Sequence, residues 1–229
     1  VEAATLGMST GGSATTALTG SGTITKTGAG RLEMRRSQTT FSGKYVVTLG
    51  SVAIAGDGYL GAVPAAAQPD YITLNGGGLV GTVGTFTTLN ANRGITLGAN
   101  GGYLATPSQG LGFNGVISGN QGGPLTIALN DAVGTATTSL VSLGGANTYD
   151  GPTQIDSGAQ LRVSTLANGG SNSGIGKSSN AAGNLILNGG TLAYQSNLAA
   201  STDRTHVTWT FVCPRRAPSG ISKEACFPR

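Results

Sequence analysis

The chain has 229 residues, 40 of them glycine, with 38% hydrophobic, 10% charged and 5% aromatic residues. That apolar share, with a formal net charge of only +4, argues against a disordered chain, which combines scarce hydrophobics with high net charge. It also argues against nucleic-acid binding. Through Ala200 eight Lys/Arg face seven Asp/Glu, so the excess sits in positions 201–229, and the only cluster, Arg31, Arg35 and Arg36, is interrupted by Glu33.

Apolar residues then recur with a period of two. Ile24 lies between Thr23 and Thr25, and Leu32 and Met34 alternate with Arg31, Glu33 and Arg35. Ile72 with Leu74, Ile95 with Leu97, and Leu185 with Leu187 repeat the pattern, which predicts short half-buried strands. Asp57-Gly58, Asn75-Gly76, Asn100-Gly101 and Asn188-Gly189 punctuate them as residue types that tolerate positive φ. No window of eleven residues carries a helical stripe, so helix is not a main element. Gly76-Gly77-Gly78-Leu79-Val80-Gly81 has nucleotide-loop spacing, but no helix follows to meet a phosphate; it reads as a turn. No apolar run approaches the ~20 residues of a membrane-crossing helix. The chain opens at Val1 without a basic and apolar leader, which suggests a mature, cleaved or excerpted product.

The sequence repeats itself. GRLEMRRSQTTFSG (30–43) aligns with TSLVSLGGANTYDG (138–151), setting Leu32 on Leu140, Phe41 on Tyr149 and Gly43 on Gly151. YVVTLGSVAI (45–54) matches TQIDSGAQLRV (153–163), and YITLNGGGL (71–79) matches NLILNGGTL (184–192), with GITLGANGGYL (94–104) as a third echo. The period is about 110 residues, built from smaller strand-turn units of solenoid size. A sandwich or barrel with Asn-Gly hairpins is the competing architecture. Repetition with few aromatics favours a β-solenoid, whose core of stacked Val, Leu, Ile and Ala forms only because neighbouring coils cover one another. Coils of roughly 20–25 residues give about nine rungs.

These segments carry a resemblance. GSGTITKTGAGRLEM (20–34), GANTYDGPTQIDSGAQLRV (145–163) and LILNGGTLAY (185–194) resemble the passenger-associated transport repeat of bacterial autotransporters. Its Thr-Lys-x-Gly-x-Gly strand is met by Lys26, Gly28 and Gly30, its Asn-Thr-Tyr-x-Gly turn by Asn147, Thr148, Tyr149 and Gly151, and its Gly-x-Leu strand by Gly158 and Leu161. GVISGNQGGPLTI (115–127) is similar to the family's linking segment, although no Lys-x-Gly-x-Gly copy follows it. With Leu32, Phe41, Gly43, Asn75, Gly76, Asn188 and Gly189, these are the candidate repeat-motif residues. The resemblance covers roughly residues 15–205. It implies an all-β chain folded as a right-handed parallel β-helix, extracellular or at the bacterial outer membrane, with a C-terminal β-barrel translocator as partner in the full-length protein. No barrel-like strand series follows Gln195, so the chain is expected to be part of a passenger or a truncated product. Repeats of this kind are proposed to aid secretion by folding progressively outside the cell.

Two segments follow: a β-helix over 1–205 and an irregular C-terminal tail over 206–229. Ser201-Thr202-Asp203-Arg204 parallels Asn90-Ala91-Asn92-Arg93, so the register survives to about Trp209. Residues 201–229 hold one glycine, Gly220, yet also the chain's only His and Trp and both cysteines. That abrupt shift favours a reading-frame change over a true solenoid cap. A body free of cysteine suits export through an oxidising periplasm, since no disulfide locks the unfolded chain. His206, Cys213 and Cys226 lack the two-to-four-residue ligand spacing of structural zinc sites, although a Cys213–Cys226 disulfide is open.

No cofactor, metal or catalytic group is expected. The body's acids, Glu2, Glu33, Asp57, Asp70, Asp131, Asp150 and Asp156, are scattered, whereas a polysaccharide lyase or hydrolase needs them convergent. Asp150 and Asp156 bracket one strand and are the pair to inspect. The leading function is a structural passenger and secretion aid. The alternative is an adhesin binding a glycan or host surface, for which Lys26, Arg31, Arg35, Arg36 and Lys44 form the first basic face to test.

Overall fold

The computed structural model describes residues 18–82, 86–107, 109–131, 135–196 and 199–204. The chain winds through seven coils. The first holds β1 (Thr23–Lys26) and β2 (Arg31–Met34); the second β3 (Lys44–Val47), β4 (Ser51–Ile54) and a 3-10 turn (Asp57–Leu60). The third holds β5 (Gln68–Leu74), β6 (Gly78–Gly81) and β7 (Thr87–Leu89), and the fourth β8 (Arg93–Leu97), β9 (Gly102–Ala105) and β10 (Leu111–Phe113). The fifth holds β11 (Ile117–Ser118), β12 (Leu125–Ala128) and β13 (Ser139–Leu143). The sixth has β14 (Thr153–Asp156) and β15 (Ala159–Val163), and the seventh β16 (Leu185–Asn188) and β17 (Thr191–Tyr194).

Each strand pairs with its counterpart one coil away. The sheets run β1-β3-β5-β8-β11, β2-β4-β6-β9-β12-β14-β16 and β7-β10-β13-β15-β17, and every named strand pairing is parallel. Chain neighbours are never sheet neighbours, which removes the hairpin-built sandwich and leaves the parallel β-helix. In the sixth and seventh coils the first face thins to single bonds, Thr148 N to Ile117 O, Asp150 N to Gly119 O and Lys177 N to Tyr149 O, beside one antiparallel bridge between Asn147 and Ser173.

The coils are longer than the sequence suggests. Leu32, Val52, Leu79, Leu104, Ile127, Ile155 and Leu187 stack in register, separated by 20, 27, 25, 23, 28 and 32 residues. Seven coils therefore occupy the described residues, where nine were expected for the whole body. The extra length sits in corner loops, where added residues cost little closure entropy.

The sequence repeat is also not a repeat of whole coils. Residues 45–54 supply β3 and β4, on the first and second sheets, whereas their match at 153–163 supplies β14 and β15, on the second and third. Residues 71–79 and 184–192 are displaced by one face in the same way. The conserved unit is a strand, a corner and a strand. It serves at different corners of the prism because each face asks for the same thing, one apolar side chain inward per two residues.

The inward positions form one continuous core from Leu32 to Leu192, mostly aliphatic as low aromatic content requires. Aromatics concentrate near one edge, where Phe41 meets Tyr45 edge-on at 5.7 Å and Tyr45 lies 6.3 Å from Tyr71. At two matched corners, backbones approach so closely that only glycine fits: a Cβ on Gly43 would lie 1.8 Å from Gly22 O, and one on Gly151 2.1 Å from Gly123 O.

Two predictions come from this packing. Gly151→Ala is expected to destabilise the stack by about 2 kcal/mol, since the methyl group must push two coils apart; denaturant midpoints measure it. Burial raises the phenol pKa values of Tyr45, Tyr71, Tyr103 and Tyr149 above the ordinary value of 10.0. Above about pH 10 the unfolded chain releases these protons and the folded one retains them, so stability is full below that pH and declines above it. Tyr45 Oη is buried without a hydrogen-bond partner among the described residues. Tyr45→Phe is therefore expected to raise stability by about 1 kcal/mol at pH 7 and to flatten the alkaline decline, read from urea midpoints between pH 8 and 11.

Candidate binding groove

The motif residues fall mainly at corners and in the core. Lys26 ends β1 at an inward register position, paired with Val47, and its Nζ bonds the corner carbonyls of Gly28 and Leu49. Partial desolvation lowers its pKa. Gly30 O accepts from Ser51 N. Leu32, Phe41, Tyr149 and Leu161 are buried. Gly76, Gly158 and Gly189 turn corners at φ of 111°, 78° and 77°. Asn75 Oδ1 accepts from Asn100 N one coil on, and Asn188 Nδ2 donates to Asp156. Asn147 is fully buried and ties three coils together: its Oδ1 accepts from Ile117 N in the fifth, and its Nδ2 donates to Gly174 O ahead of the seventh. Tyr149 Oη and Thr153 Oγ1 share a 2.6 Å hydrogen bond.

The proposed basic face does not exist as a face. Lys26 and Lys44 belong to the first sheet and Arg31 to the second. Three of its cations are held by acids: Arg31 by Asp131, Arg35 by Glu33 and Lys44 by Asp70, at 2.5, 2.8 and 2.6 Å. The acids are equally occupied. Asp150 Oδ1 accepts from Gly122 N, and Asp156 Oδ1 accepts from Gln154 and Asn188. Among the described residues no group of three His, Cys, Asp or Glu could hold a metal ion. His206, Cys213 and Cys226 lie outside the described residues.

Sequence reasoning missed two buried arginines. Arg93, 0% exposed, lies 4.6 Å over the Tyr71 ring, bonds both oxygens of Asp57, and donates to the carbonyls of Gly61 and Ala62. Arg204 repeats the device one superunit later, donating to Ile175, Gly176 and Ser178 carbonyls. No carboxylate pairs with Arg204 among the described residues, its Nε is unpartnered, and burial lowers its pKa. The parallel between residues 90–93 and 201–204 was the available signal, but alternation predicts only which apolar residues face inward.

A groove of about 510 Å³ runs along the corner between the first and second sheets. Its floor is the outward face of the second sheet, where Tyr103, Thr126 and Asp156 stand, and its rim holds Asn100 and Pro124. The Tyr103 ring lies across Gly78, where a Cβ would come within 2.4 Å of it, and its Oη donates to Gly50 O at 3.0 Å. Among the described residues nothing bonds the side chains of Asn100 and Thr126 or Oδ2 of Asp156. The groove thus offers an aromatic ring, an amide, a hydroxyl and a carboxylate oxygen, with Arg31 already neutralised by Asp131.

Over 186 residues the chain is 36% identical to the adhesin BmaC autotransporter of Brucella suis biovar 1 (strain 1330), a match covering 80% of this chain. The chain is an autotransporter passenger segment. It spans 5% of that relative's length. No family profile and no solved structure matches it. As autotransporter passenger sequence it is surface-exposed or outer-membrane associated, and its stack of parallel coils is the architecture that the repeats imply.

Proposed function

We propose that this segment is a stretch of rigid extracellular stalk that assists export by folding as it emerges, in a full-length protein whose C-terminal β-barrel translocates it. The observation that carries this reading is the pairing pattern: each strand finds its hydrogen-bond partners on an adjacent coil, so every coil formed outside presents the edge on which the next one folds. Folding free energy then opposes back-sliding without a chemical energy source. No catalytic role is assigned, because the groove's acids are engaged elsewhere, Asp131 by Arg31 and Ser51 and Asp156 Oδ1 by Gln154 and Asn188. In the parent protein displayed on a Gram-negative host, a core-breaking change such as Leu161→Asp is expected to cut surface exposure several-fold, scored by protease accessibility on intact cells. Wild-type display of that variant would remove folding from the export step.

The groove supports a second role, adhesion to a glycan. The relative is named an adhesin, and the free groups along the groove suit a hydroxyl-rich, uncharged saccharide: Tyr103 offers a ring for sugar C–H groups, Asn100 and Thr126 exchange hydrogen bonds, and Asp156 Oδ2 accepts. A polyanionic host glycan fits poorly, because the nearby cations are already satisfied. Titration of the purified chain with neutral oligosaccharides, followed by NMR, is expected to shift groove resonances. Asn100→Ala with Thr126→Val should weaken binding about tenfold, the scale of one or two lost hydrogen bonds. Undiminished binding by that double variant would move the site elsewhere.

A further inference from the structure

In an ideal solenoid each coil touches only its neighbours, so energetic coupling decays along the stack. Besides the Arg93–Asp57 pair at its corner, two contacts around the second sheet break that rule. Beyond β12 the chain leaves the second sheet and joins the third at β13. Asn130 closes the base of this excursion, its Nδ2 donating to Ala136 O at 3.0 Å and its Oδ1 accepting from Ala136 N at 2.9 Å. Asp131 is thereby held against coils far below its own. Its carboxylate accepts from Arg31 Nε and Nη2 of the first coil at 2.7 and 2.5 Å, and from Ser51 Oγ of the second at 2.6 Å. The side chain is 1% exposed, and the bond to Asp131 raises the Arg31 pKa. Tyr103 of the fourth coil likewise steps over Gly78 of the third to reach Gly50 of the second.

Beside these ties, Ala53, Val80 and Ala105 form an outward column on the same sheet that is nonetheless fully buried, with Tyr103 and Ala128 packed against it. The sixth and seventh coils differ. Among the described residues their side-chain bonds reach only adjacent coils, as with Asn147 to Ile117 and Gly174, Thr153 to Ile175, and Asn188 to Asp156.

We propose that the Asp131 tie, closed across 100 and 80 residues of sequence, locks coils one to five into a single cooperative block, with a cooperativity boundary between β13 and β14. Coils beyond the boundary open and close independently of the block. During emergence coils still add one on another, but the block is complete only when its first and fifth coils are both folded, so the tie secures this stretch in one final step. The coupling holds whether or not the groove binds a ligand.

Hydrogen exchange by mass spectrometry on the full chain tests it. Asp131→Asn should speed exchange about tenfold or more in β2 to β4 as well as in β9 and β12, while β14 to β17 keep their wild-type rates. Asp156→Asn, a change of the same type on the same sheet in the sixth coil, should leave β2 to β4 unchanged. Effects of Asp131→Asn confined to β12 and β13, or spread equally over all seventeen strands, would overturn the proposal. If that variant does not fold, Arg31→Lys keeps the charge but loses the two-pronged bond, and the same comparison of β9 and β12 with β14 to β17 decides.

Discussion

A β-helix stands on the hydrogen bonds between one coil and the next. Every strand amide and carbonyl that points along the stack needs a hydrogen-bond partner on the next coil, whose strand lies about 4.7–4.9 Å away, and a buried group without one is costly. That requirement sets the conditions at the corners, where the chain must turn without lifting the backbone off the coil beneath. Gly43 and Gly151 mark the tightest places, where the carbonyl of the lower coil occupies the space a side chain would take. It also explains Asn147, whose buried amide stands in for backbone where the first face narrows to single bonds.

Once stacking is secured, the few charges act as fasteners. Arg93 fills a corner with Asp57, a tyrosine face and two carbonyls, and Arg204 occupies the equivalent place with carbonyls alone. Arg31 lies along the outer face of the prism, where a partner from the fifth coil meets it. A guanidinium suits these positions because its fork can satisfy several acceptors at once while its charge stays delocalised. Among the described residues, Arg31–Asp131, Lys44–Asp70 and Arg93–Asp57 are the ion pairs that join separate turns.

This economy bears on function. A passenger segment that crosses an envelope unfolded benefits from a core assembled by local contacts, because each newly formed coil has its partner at hand. A small number of long-range ties then convert a compliant array into a stiffer block. The groove beside the Asp131 tie lies on this stretch, and its shape depends on Tyr103 lying over Gly78, so the proposed binding groove and the long-range contacts share Tyr103.

The strand alternation and the Gly-rich corners were legible from the residues alone, because a period of two and a turn are local properties of the backbone, and they led to parallel coils through their repetition. The resemblance carried in Lys26, Asn147 and Tyr149 supplied the class. What the sequence could not contain was which face each unit occupies. Residues 45–54 and 153–163 look alike yet lie on different sheets, since the three faces impose the same alternation and loop lengths alone decide the phase. Nor does any local pattern connect Arg31 to Asp131 or bury Arg93 on Tyr71. Those pairings arise only after the coils have stacked, when residues 100 and 22 positions apart come to share one corner or one face.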